Sequence, residues 1–230
     1  VMVPVYETSS PAQISWILAD SGAVAVVLES ADHAERLDEV RSDVPLVREV
    51  WAMHAGDLDR LVAGGTHITD EEIERRRHLA KASDVATLIY TSGSTGRPKG
   101  CVLVHSNFVE LARNSAKALH EVVETPGAST LLFITTAHVF ARFIAALSVT
   151  AGVKVGHQPD TKKLVESMTS FSPTFLLAVP RVFEKVFNVS EQKAEAGGKG
   201  KIFRKAAEVA VAHSKAVDAG KVPVGLALQF

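Results

Sequence analysis

The sequence predicts an α/β fold of three layers, a mostly parallel sheet with helices on both faces. Two observations carry this. Apolar strand-like runs alternate with helical segments along the chain, the pattern of layered α/β proteins. The first such unit, with apolar runs at 23–28 and 46–52 around a polar helical segment at 32–41, has the spacing of a parallel crossover. A third observation bears on function. A stretch rich in glycine, hydroxyl residues and lysine, 90–100, lies between the strand-like runs 85–89 and 101–104.

In chain order, residues 1–6 read as strand rather than as a leader peptide. Ser10 and Gln13 form a capping-box pair and Pro11 suits the first helical position. Ile14, Ile17 and Leu18 give that helix an apolar face, and Gly22 stops it. The run 23–28 is almost unbroken, as expected for a strand buried on both faces. Residues 54–78 are more polar and peripheral. There Thr69 and Glu72 form a second capping box, opening a helix that ends in Arg75, Arg76, Arg77 and His78. Cations in a last turn complement the helix dipole. Three adjacent arginines on a helix cannot all face one groove, so the run is no nucleic-acid signature.

Beyond the glycine-rich stretch, Ser106 is expected to cap a helix to about 120, with Phe108, Leu111, Ala112, Ala118 and Leu119 as core candidates. Strands are expected at 130–135, 153–156 and 174–179, and helices at 138–151, 161–171 and from Pro180. The glycine- and lysine-rich segment 195–201 reads as a flexible linker. The last helix, 202–218, aligns Ile202, Ala206, Val209 and His213. The apolar tail 222–230 reads as a segment entering a core, so exposed apolar surface and self-association are expected.

The 230 residues suffice for one large domain or two small ones. With 25 basic and 26 acidic residues the net charge is −1, which gives no electrostatic case for nucleic acid or an anionic membrane. The longest apolar stretch, 139–153, is interrupted by Arg142 and is too short for a transmembrane segment. The single cysteine, Cys101, excludes an internal disulfide and a cysteine metal cluster. It is expected to be a small buried residue, compatible with a reducing cytosol, and the expected location is cytoplasmic.

The glycine-rich stretch reads as a phosphate cradle. Glycines let the backbone turn tightly and approach a ligand. Converging N–H groups and Ser/Thr hydroxyls bind anions, and Lys99 adds a mobile point charge. The spacing excludes a Walker A loop, since Pro98 stands where its second glycine belongs and no hydroxyl residue follows Lys99. It also excludes the dinucleotide fingerprint, which opens a helix rather than a strand. Arg97 is a second cation and can face solvent.

Thr91-Ser92-Gly93-Ser94-Thr95-Gly96-Arg97-Pro98-Lys99-Gly100 resembles the loop of the adenylate-forming enzymes at every position. The stretches 3–10, 100–105, 137–142 and 179–185 resemble the AMP-forming long-chain fatty-acid–CoA ligases in the same order. The resemblance implies that the chain is the middle of such an enzyme's large N-terminal adenylation domain. The adenine-binding segment, the hinge and the C-terminal domain would lie outside it. It further implies ATP, Mg²⁺ and coenzyme A as cofactor and co-substrates and a fatty acid as substrate. A peripheral membrane contact of the whole enzyme stays open.

By the same resemblance, Thr91, Ser92, Gly93, Ser94, Thr95, Gly96 and Lys99 would hold the ATP phosphates, and Thr91 would approach the metal. His138 would lie beside the acyl carboxylate and α-phosphate. The residues alone also allow His138 to be a helix cap or a core histidine. Thr135-Thr136 and Val104 depart from the family's usual residues, and the role of Arg142 is open. His105 is expected to pack beside the loop. A fatty acyl-AMP ligase and a non-catalytic nucleotide- or phosphate-binding module remain as alternatives.

Overall fold

Ser10, Pro11 and Gln13 start the first helix, α1 (Pro11–Asp20), with both halves of the capping box formed. The computed structural model describes residues 1–91 and 96–228. The chain divides into two units, Val1–Phe175 and Leu176–Phe230.

In the first unit, β1 (Ala25–Leu28) and β2 (Glu49–Ala52) pair in parallel through α2 (Ala31–Asp38). Leu18 of α1, Leu28, Leu37, Val44 and Val47 form one buried cluster beneath them. Two helices, α3 (Asp57–Gly64) and α4 (Asp70–Arg77), fill the polar region. Thr69 caps α4, but Glu72 makes only half of the expected box. Its carboxylate is taken by Arg75 and Arg76, whose hydrogen bonds draw its pKa down to about 2.

The strands β3 (Val85–Thr91) and β4 (Lys99–Val104) form an antiparallel pair, as a short connection demands. They are followed by α5 (His105–Ala118) and α6 (His120–Val123). Next come β5 (Ser129–Leu132), α7 (Val139–Ala151) and β6 (Lys154–His157), with β5 and β6 parallel. Ala112 and Ala116 on α5 and Ala141 on α7 are buried where the helices meet; small side chains let the backbones approach. The helix α8 (Leu164–Phe171) closes the first unit's helices. The fold is thus mixed α/β with two parallel pairs and one antiparallel hairpin, in three small sheets.

Several expected elements differ. Residues 1–6 contribute only a bridge from Met2 to Thr87, because Pro4 has no N–H to extend a ladder. Residues 174–179 are not a strand: Thr174 and Phe175 bond to Ser129 at the start of β5, and the pairing stops there. Ser106 does not cap α5. Its N–H and that of His105 are satisfied by the carbonyls of Ala82 and Asp84, so the helix starts earlier without a side-chain cap. Leu111 and Ala118 are exposed. Cys101 is exposed rather than buried, because β4 leaves one face uncovered, with Val102 at 60% exposure.

The second unit holds α9 (Pro180–Ala196), α10 (Gly200–Asp218) and the short α11 (Val224–Ala227). Pro180 occupies the first turn of α9, where its missing N–H costs nothing. The stretch 195–201, expected as a linker, holds the end of α9, a two-glycine turn and the start of α10. Of the stripe expected on α10, Val209 is buried and Ile202 is 69% exposed.

Candidate functional site

The glycine-rich stretch joins β3 to β4, whose register sets Thr91 opposite Lys99 and Tyr90 opposite Gly100. Ser92, Gly93, Ser94 and Thr95 lie outside the described residues. Gly96 has φ +114°, a backbone conformation that L side chains rarely adopt. Thr91, Gly96 and Lys99 are all exposed, and Lys99 makes no ion pair with any described residue. The hairpin end therefore presents a hydroxyl and an ammonium side by side. Gly100 matters for space rather than for conformation, since a Cβ there would sit 3.1 Å from Cζ of Tyr90. The glycine makes room for its cross-strand tyrosine.

His138 is the N-cap of α7. Its Nδ1 accepts the Phe140 N–H at 3.2 Å, so the neutral ring carries its hydrogen on Nε2. The side chain is exposed. The peptide ahead of it is fastened at two points. Thr135 Oγ1 accepts the Ala137 N–H, and Arg142 donates through Nε to the Thr136 carbonyl at 2.9 Å. Burial lowers the Arg142 pKa from the ordinary arginine range. Arg142 thus braces the turn that carries His138. No hydrogen bond joins His138 to Thr91 or Lys99 among the described residues; each comes from its own strand end. His105 is exposed at the first position of α5.

Other residues at the hairpin carry no sequence signal. Trp16 of α1 donates through Nε1 to the Pro98 carbonyl at 2.9 Å. The Arg97 guanidinium lies 4.6 Å over the Trp16 ring rather than free in solvent. The Tyr90 hydroxyl donates to Asp20 Oδ2 at 2.6 Å. Burial first, then the hydrogen bond to Asp20 and its charge, push the Tyr90 pKa up. No group of three or more His, Cys, Asp or Glu residues that could hold a metal exists among the described residues.

The family model of the AMP-binding enzymes matches residues 1–222. The chain belongs to the AMP-binding enzyme family. Among its curated relatives is the long-chain-fatty-acid–CoA ligase FadD15 of Mycobacterium bovis, 44% identical over 223 residues. That match covers 96% of this chain and 37% of the relative. The chain therefore spans little more than a third of that relative's length. Similar solved structures include VinN in complex with L-aspartate, with TM-score 0.65 and 24% identity, covering 85% of this chain and 46% of that one. Another is the inhibitor-bound N-terminal domain of FACL13 from Mycobacterium tuberculosis. It has TM-score 0.59 and 24% identity, covering 83% of this chain and 45% of that domain. At such identities these likenesses support the fold. Within the AMP-binding family, a hydroxyl- and lysine-bearing hairpin has an obvious ligand class, nucleotide phosphate.

Proposed function

We propose that this chain is the phosphate-handling part of a longer ATP-dependent long-chain fatty-acid–CoA ligase. The observation that carries the proposal is Lys99, exposed and without an ion pair among the described residues, opposite Thr91 at the end of a hairpin. In the first step a carboxylate oxygen attacks the α-phosphorus of ATP, and the bond to the bridging oxygen breaks to release pyrophosphate. In the second, the coenzyme A thiolate attacks the acyl carbon and AMP leaves. The first step concentrates negative charge on the departing pyrophosphate. Lys99, Thr91 and the loop residues Ser92, Gly93, Ser94, Thr95 and Gly96 would stabilise that charge through prearranged donors.

Mg²⁺, when bound through the phosphates, neutralises part of their charge. The Thr91 hydroxyl offers one oxygen towards it, which fits a cation that binds mainly through substrate phosphates and water. His138, with Nδ1 engaged by Phe140 N–H, has Nε2–H as the donor for the acyl carboxylate or α-phosphate. Groups that hold adenine and ribose, and the lysine of a C-terminal domain, would come from chain beyond these residues. The 230 residues alone would then catalyse no carboxylate-dependent ATP–pyrophosphate exchange, because in-line orientation of the reactants is worth about 7–11 kcal/mol of barrier. No described helix is long and apolar enough to cross a membrane, and we place the enzyme's action in the cytoplasm.

Lys99→Ala in the full-length ligase tests the reading. Exchange should fall by about 10²–10³-fold, whereas conversion of preformed acyl-adenylate to thioester should change far less, pyrophosphate having already left. A loss confined to the thioester step would contradict the assignment. Product analysis with and without coenzyme A separates a CoA ligase from a fatty acyl-AMP ligase.

A further inference from the structure

We infer that α1 sets the geometry of the phosphate hairpin, with Trp16 and Asp20 as positioning residues for Lys99 and Thr91; the inference rests on the phosphate reading above. Trp16 and Asp20 stand one helical turn apart, and so share a face of α1. From that face Trp16 Nε1–H bonds the Pro98 carbonyl at 2.9 Å and Asp20 Oδ2 accepts the Tyr90 hydroxyl at 2.6 Å. Pro98 directly precedes Lys99, and Tyr90 directly precedes Thr91. The helix therefore grips both arms of the hairpin immediately below the opposed pair.

The grip has a rigid base. The remaining surface of α1 buries Ile17 and Leu18, and Leu18 belongs to the cluster with Leu28, Leu37, Val44 and Val47. The hairpin itself has little else to hold it, since β4 is exposed along most of its length and isolated two-stranded pairs are marginal in water. Asp20 is also poorly placed for helix stability. It lies in the last turn of α1, near the carbonyl end of the dipole, and no basic residue shares that turn. Its bond to Tyr90 accounts for a carboxylate there. Gly100 completes the arrangement by admitting the tyrosine ring. The two cations then differ: Arg97 is stacked on Trp16, which leaves Lys99 as the one directed to ligand. A shift of about 1 Å in such a group costs of the order of a hundredfold in rate, so the grip has catalytic consequence.

Fluorescence and binding test this in the full-length protein. The sequence holds two tryptophans, so a Trp51→Phe background leaves Trp16 as the sole emitter within these residues. Magnesium pyrophosphate and MgATP should change Trp16 emission. Trp16→Phe, Asp20→Asn and Tyr90→Phe should each weaken pyrophosphate binding and raise KM for ATP by about three- to tenfold, the loss of one hydrogen bond. KM for the fatty acid should stay unchanged. Trp16→Phe, which keeps a ring face for Arg97, should be milder than Trp16→Ala. Hydrogen exchange at the Thr91 and Lys99 amides should accelerate in all these variants, with melting temperatures close to the parent. Tight pyrophosphate binding with unchanged Trp16 emission and unchanged affinity in the variants would overturn the inference. Absence of pyrophosphate binding in the parent, with exchange still accelerated in Asp20→Asn, would instead overturn the phosphate reading and take this inference with it.

Discussion

Two stretches of this chain have nearly the same composition and entirely different structures. The hairpin stretch ends Gly96-Arg97-Pro98-Lys99-Gly100, and the helical turn reads Gly197-Gly198-Lys199-Gly200-Lys201. In the first, glycine at φ +114° and a lysine without an ion pair among the described residues sit at the end of an antiparallel pair. In the second, the glycines terminate one helix and open the next. Gly198, at φ +70°, donates its N–H to the Glu195 carbonyl, and the Lys199 N–H reaches the Ala194 carbonyl at 2.7 Å. Those crossed bonds form a complete Schellman motif, which satisfies the last carbonyls of α9. Phe187 and Phe203, 5.2 Å apart, pack α9 on α10. Glycine plus lysine therefore implies neither a phosphate site nor a linker; the periodicity on either side decides what the glycines are for.

Alanine at the two left-handed glycines should break this comparison most sharply. Gly96→Ala places a side chain in a region costing of order 1–3 kcal/mol, and the hairpin end must rearrange to relieve it. We expect ATP–pyrophosphate exchange by the full-length ligase to fall by about a hundredfold, with a modest loss of melting temperature. Gly198→Ala, at an ordinary helix-end conformation, should cost about 1–2 kcal/mol of stability and leave exchange alone. Exchange assays and urea denaturation on the same two proteins check both halves. Equal activity losses would mean that the hairpin glycine is merely structural.

How far these differences could be read beforehand depends on whether the deciding partner is near in sequence. Local signals were legible: Ser10 with Gln13, Pro180 at the start of α9, and glycine spacing with strands on both sides, which places Thr91 and Lys99 at one hairpin end. Signals that depend on a distant partner were not. Residues 174–179 have a strand's composition but find only the first residue of β5. Ser106 has a cap's chemistry, yet carbonyls of Ala82 and Asp84 already satisfy the N–H groups it would serve. Cys101 alternates as a strand residue should, but nothing described covers that face of β4. The Trp16–Pro98 bond spans 82 residues and the Tyr90–Asp20 bond spans 70. No short-range pattern announces either, although they hold the stem of the most legible motif in the chain.

The smallest expected effect concerns Gly200, and it sharpens the view of the helical turn as a built element. A Cβ at Gly200 would collide with Cδ of Glu195, whose carboxylate pairs with Arg204. The atom in the way is the far end of a flexible side chain, so Gly200→Ala can be accommodated by swinging Glu195 off Arg204. Two effects then oppose each other. Replacing glycine at the first position of α10 lowers the entropy of the unfolded chain, a gain of about 0.4–1 kcal/mol. Displacing Glu195 removes an exposed ion pair, and exposed pairs contribute little. The net change in the parent protein should therefore be close to zero. In an Arg204→Ala background there is no pair to lose, and Gly200→Ala should show its full stabilisation in urea denaturation. The same stability change in both backgrounds would show that Glu195 does not fill the space at Gly200 in solution, and the turn would be held by its backbone bonds alone.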